Sequence, residues 1–195
     1  MRVLLAGGGT GGHINPALAI ASIIREHDPS AEFLFVGTPN GMEARLVPQA
    51  GYRLETMHVA GFQRKLSWKN VKRNVKAAYY LATSQPRARK IVRQFQPDVA
   101  IGTGGYVAGP ILHAAAHLGI PCAIHEQNAF PGVTNKMLSK EVDHVMLTVE
   151  QALQYLHPNC AYTVTGLPVR GGISHPDRAA ARKKLGRSEE HTSEL

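Results

Sequence analysis

Five of the six residues from Gly7 to Gly12 are glycine, and an imidazole, His13, follows at once. Glycines this dense let backbone N–H groups close on an anion, and a histidine beside bound phosphate can serve as general base or oxyanion partner. A second cluster, Gly102-Thr103-Gly104-Gly105-Tyr106, and a polar run, His125-Glu126-Gln127-Asn128, are the other stretches with chemistry to offer. Four consecutive polar residues after an apolar run are costly to desolvate unless they bind something.

The flanking residues say which elements must position these groups. Met1 to Ala6 reads as a buried first strand, and Asn15-Pro16 opens an Ala/Leu/Ile-rich helix from Ala17 to Ile24. Strand, glycine loop and helix start is the layout that sets amides and a helix N-terminus against a phosphate. Pro97 to Gly102 reads as a strand feeding the second glycine cluster, with a helix from about Pro110 to Leu118 behind it. Ile120 to Ile124 is a strand that delivers His125 to Asn128, and Pro131 to Lys136 starts another helix. Further strands are expected at Glu32 to Val36, Arg53 to Val59, His144 to Thr148 and Tyr162 to Thr165. Further helices are expected at Met42 to Pro48, around Glu150 to Leu156, and at Asp177 to Leu185. This alternation predicts an α/β fold, a Rossmann-like doubly wound parallel sheet, with both glycine loops at its carboxyl edge, where such sheets bind ligands.

Several chemistries are disfavoured. Gly7, Gly9 and Gly12 satisfy the dinucleotide pattern, but that pattern also needs an acid at the end of the second strand. Here the strand runs into Gly37-Thr38-Pro39-Asn40, and Glu43 comes too late. No Gly-Lys-Ser/Thr follows the glycines, which excludes a P-loop. Cys122 and Cys160 make no metal or redox motif, and no metal ligands or cofactor are expected. No stretch approaches the roughly 20 apolar residues of a membrane span. Met1-Arg2 leads straight into the strand without a signal peptide, so an intracellular protein is expected.

The formal charge of +8 is unevenly placed: no acidic residue stands between Glu55 and Asp98, and ten basic ones do. Such a block points to a polyanion, whether nucleic acid, an anionic membrane surface or a phosphorylated substrate. Written as a helix from Leu66 to Ala82, it sets Trp68, Val71, Val75 and Tyr79 on one side and Lys69, Lys72, Arg73 and Lys76 on the other. It reads either as a surface helix packing that apolar stripe on the sheet or as a membrane contact. In the second reading Phe62, Leu66 and Trp68 dip into the interface and the basic residues meet anionic headgroups. No recognised nucleic-acid module accompanies the charge, so no nucleic-acid partner is expected.

Gly166-Leu167-Pro168-Val169-Arg170 is a stiff, turn-rich segment that resembles a domain boundary, giving a domain over residues 1–166 and a linker over 167–186. The last nine residues, Arg187 to Leu195, break in composition from the basic helix before them and match one reading frame of a widely used sequencing adapter. A non-native tail is expected there.

Taken together, Gly8 to His13, Gly104 to Pro110, His125 to Asn128, Thr134-Asn135-Lys136 and Pro168-Val169-Arg170 resemble, in order and spacing, the N-terminal half of the MurG family of peptidoglycan glycosyltransferases. The resemblance spans residues 1 to about 185 and implies the first of the two Rossmann-like domains of a GT-B enzyme. Such enzymes transfer N-acetylglucosamine from UDP-N-acetylglucosamine to the C4 hydroxyl of the muramoyl sugar of lipid I, giving lipid II with inversion at the cytoplasmic face of the membrane. It implies His13 as general base or phosphate partner, with Glu126 the alternative base. Thr10, Gly11, Gly12, Asn128 and Arg170 match donor-binding positions; Gly104, Gly105, Tyr106 and Asn135 would face the acceptor. The basic aromatic segment would dock on the membrane, and most uridine contacts would come from a C-terminal domain that this chain lacks. One departure stands out: the family commonly has Asn where this chain has Leu167, which puts a hinge or donor contact in question. Two other classes stay open. A nicotinamide or S-adenosylmethionine enzyme accounts for the first glycine loop alone, and a non-catalytic membrane-binding half of a split glycosyltransferase fits the length.

Overall fold

In the computed structural model the described residues are 1–59, 84–169 and 177–185. The basic membrane segment (Phe62, Leu66, Trp68, Lys69, Lys72, Arg73 and Lys76), Arg170 and the tail 187–195 lie outside them. Seven strands form one sheet: β1 (Arg2–Gly7), β2 (Glu32–Gly37), β3 (Arg53–Thr56), β4 (Val99–Gly104), β5 (Cys122–Glu126), β6 (His144–Leu147) and β7 (Tyr162–Val164). The order across the sheet is β3-β2-β1-β4-β5-β6-β7, and every pairing is parallel. The chain winds outward from β1 through β2 to β3, then returns to lay β4 on the other side of β1. The strand order therefore reverses between β1 and β4, which is where the two glycine loops leave the sheet.

Helices α1 (Gly11–His27), α2 (Glu43–Gln49), α3 (84–95), α4 (Ala108–His117), α5 (Val133–Leu138) and α6 (Arg178–Leu185) supply the other layers, with a 3₁₀ segment at Glu150–Tyr155. The inner strands β1, β2 and β4 are buried at every position past the first because both faces are covered, and alternate residues go to opposite cores. Val3, Leu5, Phe33 and Phe35 pack with Ile14, Ala17 and Leu18 of α1 and Val47 of α2. Leu4, Ala6, Leu34 and Val36 pack with Ile91 and Val92 of α3 and Ile111, Leu112 and Ala115 of α4. The expected doubly wound parallel fold is the one found.

Boundaries moved for local reasons. α1 starts at Gly11, not near Ala17, so Pro16 lies inside it and Gly11, Gly12 and His13 form its first turn, capped by an extended Thr10. β4 runs two residues later than expected, because Asp98 closes the strand's start: its carboxylate accepts from Arg2 N–H (2.7 Å) and its N–H donates to the Arg2 carbonyl (2.9 Å). Thr103 and Gly104 thus belong to the strand. β3 stops at Thr56, short of Val59. The Glu150 segment is 3₁₀ rather than α, as short connectors often are.

Candidate active site

The two glycine loops meet at the reversal of strand order. Gly104 and Gly105 have φ of +109° and +83°, and a Cβ at Gly105 would overlap the Gly8 carbonyl. Only glycine lets the loops approach this closely. The Thr103 hydroxyl donates to the His13 carbonyl (2.8 Å), tying the end of β4 to the first turn of α1. That turn carries no acidic residue, Thr10 makes no side-chain cap, and the His13 N–H donates to the Thr10 carbonyl (3.1 Å).

His13 is held from behind. Its Nδ1 lies 3.0 Å from the Gly8 carbonyl and 3.4 Å from Thr10 Oγ1. A carbonyl only accepts, so Nδ1 carries a proton, and the neutral ring has its lone pair on Nε2. Nε2 packs beside Gly104, where an added Cβ would lie only 3.0 Å from it. Both residues line a cleft of about 600 Å³ shared with Gly8, Gly9, Thr10, Gly105, Tyr106, Glu126, Asn128 and Asn135. A second cavity of about 400 Å³ is lined by Gly11, Gly12, Asn15, Gln127, Asn128 and Leu167. Asn128 lines both.

The polar run that begins within β5 also builds this edge. His125 is buried; Gln127 Nε2 donates to its Nδ1 (3.0 Å), and its own Nε2 donates to the Gly166 carbonyl (3.1 Å). Burial pushes the His125 pKa below its ordinary 6.5. Glu126, also buried, accepts four hydrogen bonds: from Asn128 N–H (2.9 Å) and Nδ2 (3.0 Å) on Oε1, and from Gly132 N–H (3.2 Å) and Asn135 Nδ2 (2.8 Å) on Oε2. Those donors occupy the lone pairs a base would use, an arrangement that organises the edge.

Asn135 is only 3% exposed, so it does not stand open to the cleft as Tyr106 does at 63%. Its Nδ2 is committed to Glu126 and to the His125 carbonyl (3.3 Å), both acceptors, which fixes the amide orientation. Its Oδ1 has no hydrogen-bond partner among the described residues, although the residue lines the larger cleft. A buried acceptor without a donor at a cavity wall suits a ligand hydroxyl.

The profile of the glycosyltransferase family 28 N-terminal domain matches residues 3–147. The chain belongs to this family. It is 47% identical over 186 residues to the UDP-N-acetylglucosamine–N-acetylmuramyl-(pentapeptide) pyrophosphoryl-undecaprenol N-acetylglucosamine transferase of Acetivibrio thermocellus, covering 95% of this chain and 49% of that protein. It is 49% identical over 193 residues to the transferase of the same name from Clostridioides difficile, covering 97% and 46%. Among solved structures it resembles the MurG of Acinetobacter baumannii, with TM-score 0.70 and 31% identity over 89% of this chain and 48% of that one. A UDP-GlcNAc 2-epimerase from Neisseria meningitidis shares the fold alone, at TM-score 0.60 and 13% identity over 86% and 46%. The chain thus spans about half the length of the curated relatives it matches.

Within this family 28 domain, the positions tied by resemblance to the donor and to the acceptor fall largely on different cavities. Gly11, Gly12 and Asn128 line the smaller one; Gly104, Gly105, Tyr106 and Asn135 line the larger, with His13 and Thr10. Leu167 lines the smaller cavity. One residue of the site escaped the sequence reading. Glu43, fully buried, sits beneath the first glycine loop and accepts from Gly9 N–H (3.0 Å), Thr38 N–H (2.7 Å) and Thr38 Oγ1 (2.6 Å). Burial opposes its charge, but these donors outweigh it and hold the carboxyl below its ordinary value. It came too late to hold a ribose and does other work: it shapes the loop. The glycines on either side of it, Gly37 and Gly41, were the available signal.

Proposed function

We propose that this chain is the acceptor-binding half of an inverting transferase. The enzyme would move N-acetylglucosamine from UDP-N-acetylglucosamine to the C4 hydroxyl of the muramoyl sugar of lipid I, forming lipid II. The observation that carries this reading is His13, proton fixed on Nδ1 by the Gly8 carbonyl and Nε2 set in a cleft between two glycine loops. In the reaction, Nε2 takes the proton of the acceptor hydroxyl as its oxygen bonds to the anomeric carbon from the face opposite the phosphate. The anomeric C–O bond breaks, and its electron pair leaves with UDP. The charge that develops on the leaving diphosphate meets the N-terminus of α1 and loop amides, with no metal required from this half. Glu126, saturated by four donors, serves as the organiser of the Asn128–Asn135 wall instead of the base.

Thr10, Gly11, Gly12, Asn128 and Arg170 then contact the donor, and Gly104, Gly105, Tyr106 and Asn135 the acceptor. Among the described residues no helix is long and apolar enough to cross a membrane. We assign docking at the cytoplasmic membrane surface to Phe62, Leu66, Trp68, Lys69, Lys72, Arg73 and Lys76, since the polyprenyl tail of the acceptor stays in the bilayer. No nucleic-acid partner is proposed.

The test is transfer of labelled N-acetylglucosamine to a lipid I analogue by the chain alone and by the chain joined to the C-terminal half of the Acetivibrio thermocellus relative. The joined protein should be active and the chain alone inactive. His13→Ala should lower kcat of the joined protein by about 10²–10⁴. A folded joined protein without transfer overturns the function; an undiminished His13→Ala variant overturns the base.

A further inference from the structure

Away from the cleft, at the opposite end of α4, three side chains converge that the transferase chemistry does not use. His113 and His117 are one helical turn apart, and Glu141 reaches them from the turn between α5 and β6. The two imidazole rings lie 4.0 Å apart centre to centre, and one atom of each of the three residues falls within 4.8 Å of the others. We propose that His113, His117 and Glu141 form a surface site for a divalent transition-metal ion of the zinc class.

The hydrogen bonds argue for this more than the proximity does. His113 Nδ1 donates to Glu141 Oε2 at 2.6 Å, and His117 Nδ1 donates to the His113 carbonyl at 2.9 Å. A carboxylate and a carbonyl both accept, so each ring carries a hydrogen on Nδ1, and in its neutral form each leaves the lone pair on Nε2. Each imidazole is therefore already in the tautomer a metal needs, and each is oriented by an oxygen behind it, as ligating histidines usually are. Spacing of four residues on a helix puts both rings on one face. Imidazole nitrogens select zinc, nickel or copper over magnesium or calcium, which prefer oxygen ligands. Glu141 is the orienting group while it holds His113, and becomes a third ligand by releasing it. His117 is exposed and His113 and Glu141 are each about one-third exposed, so an ion has access. A bound ion would clamp the end of α4 to the turn after α5.

The test uses the untagged 195-residue chain, titrated with Zn²⁺ by calorimetry, with Mg²⁺ as control. One equivalent of Zn²⁺ should bind and raise the melting temperature, whereas Mg²⁺ should do neither. His117→Ala should abolish that equivalent, Glu141→Gln should weaken it about 10- to 100-fold, and His144→Ala, at a histidine outside the cluster, should leave it intact. All three positions are at the surface, and far-UV circular dichroism checks that each variant is folded. Zn²⁺ binding equal in wild type and His117→Ala, or lost equally in His144→Ala, overturns the proposal.

Discussion

At the scale of single residues, two buried ionisable groups hold the loops in place, and each predicts a measurement. Neutral His125 accepts from Gln127 and donates to Gly166. Protonation would set donor against donor. Its folded pKa is lowered, so its contribution to stability is fully present above the ordinary value of 6.5 and is lost as pH falls from there through the lowered one. The urea midpoint should therefore drop below about pH 6.5 more steeply in wild type than in His125→Gln, which removes that titration. Glu43 predicts a plainer result. Glu43→Ala strands the amides of Thr38 and Gly9 and should cost about 2–6 kcal/mol in urea unfolding, since each buried donor left unsatisfied costs about 1–3 kcal/mol. The sequence reading set Glu43 aside because it looked for a ribose ligand, and it took His125 to Asn128 as a run that binds something, with Glu126 the alternative base. Side-chain type and spacing locate a polar cluster but not which way it faces. That depends on who donates to whom.

Among the elements, the inner strands were the most legible, because a strand covered on both faces is almost wholly apolar and a glycine marks where β1, β2 and β4 each end. Helix starts were less so. Glycine is a poor helix residue by propensity, and nothing local announces that Gly11 and Gly12 are the first turn of α1. The loops between elements give a paired prediction. Gly105→Ala combines a left-handed φ of +83° with a clash on the Gly8 carbonyl, and should cost more than about 1–2 kcal/mol and raise the acceptor KM. Gly109→Ala, inside α4 with its nearest contact at 3.6 Å, should be neutral or gain up to about 1 kcal/mol. Urea unfolding of the two variants reads the difference. Equal effects would mean that the approach of the two loops is not what requires glycine.

For the whole molecule, if the acid-free basic stretch docks on the membrane as proposed, that docking should depend on ionic strength. Sedimentation with vesicles containing anionic lipid should weaken as salt rises. Replacing Lys69, Lys72, Arg73 and Lys76 by Ser should remove about 1 kcal/mol of binding each, with the melting temperature nearly unchanged. Loss of vesicle binding without that salt dependence would point to Phe62, Leu66 and Trp68 instead. The run of charge is legible in the sequence because net charge needs no geometry to be read.

The two cavities have Asn128 in common, and its side chain is pinned to Glu126. A party wall one residue thick cannot be moved for one tenant alone. If donor and acceptor occupy the two chambers as proposed, whichever arrives first sets the wall that the second must fit. Each then changes the other's affinity by the same factor, because such a linkage is reciprocal.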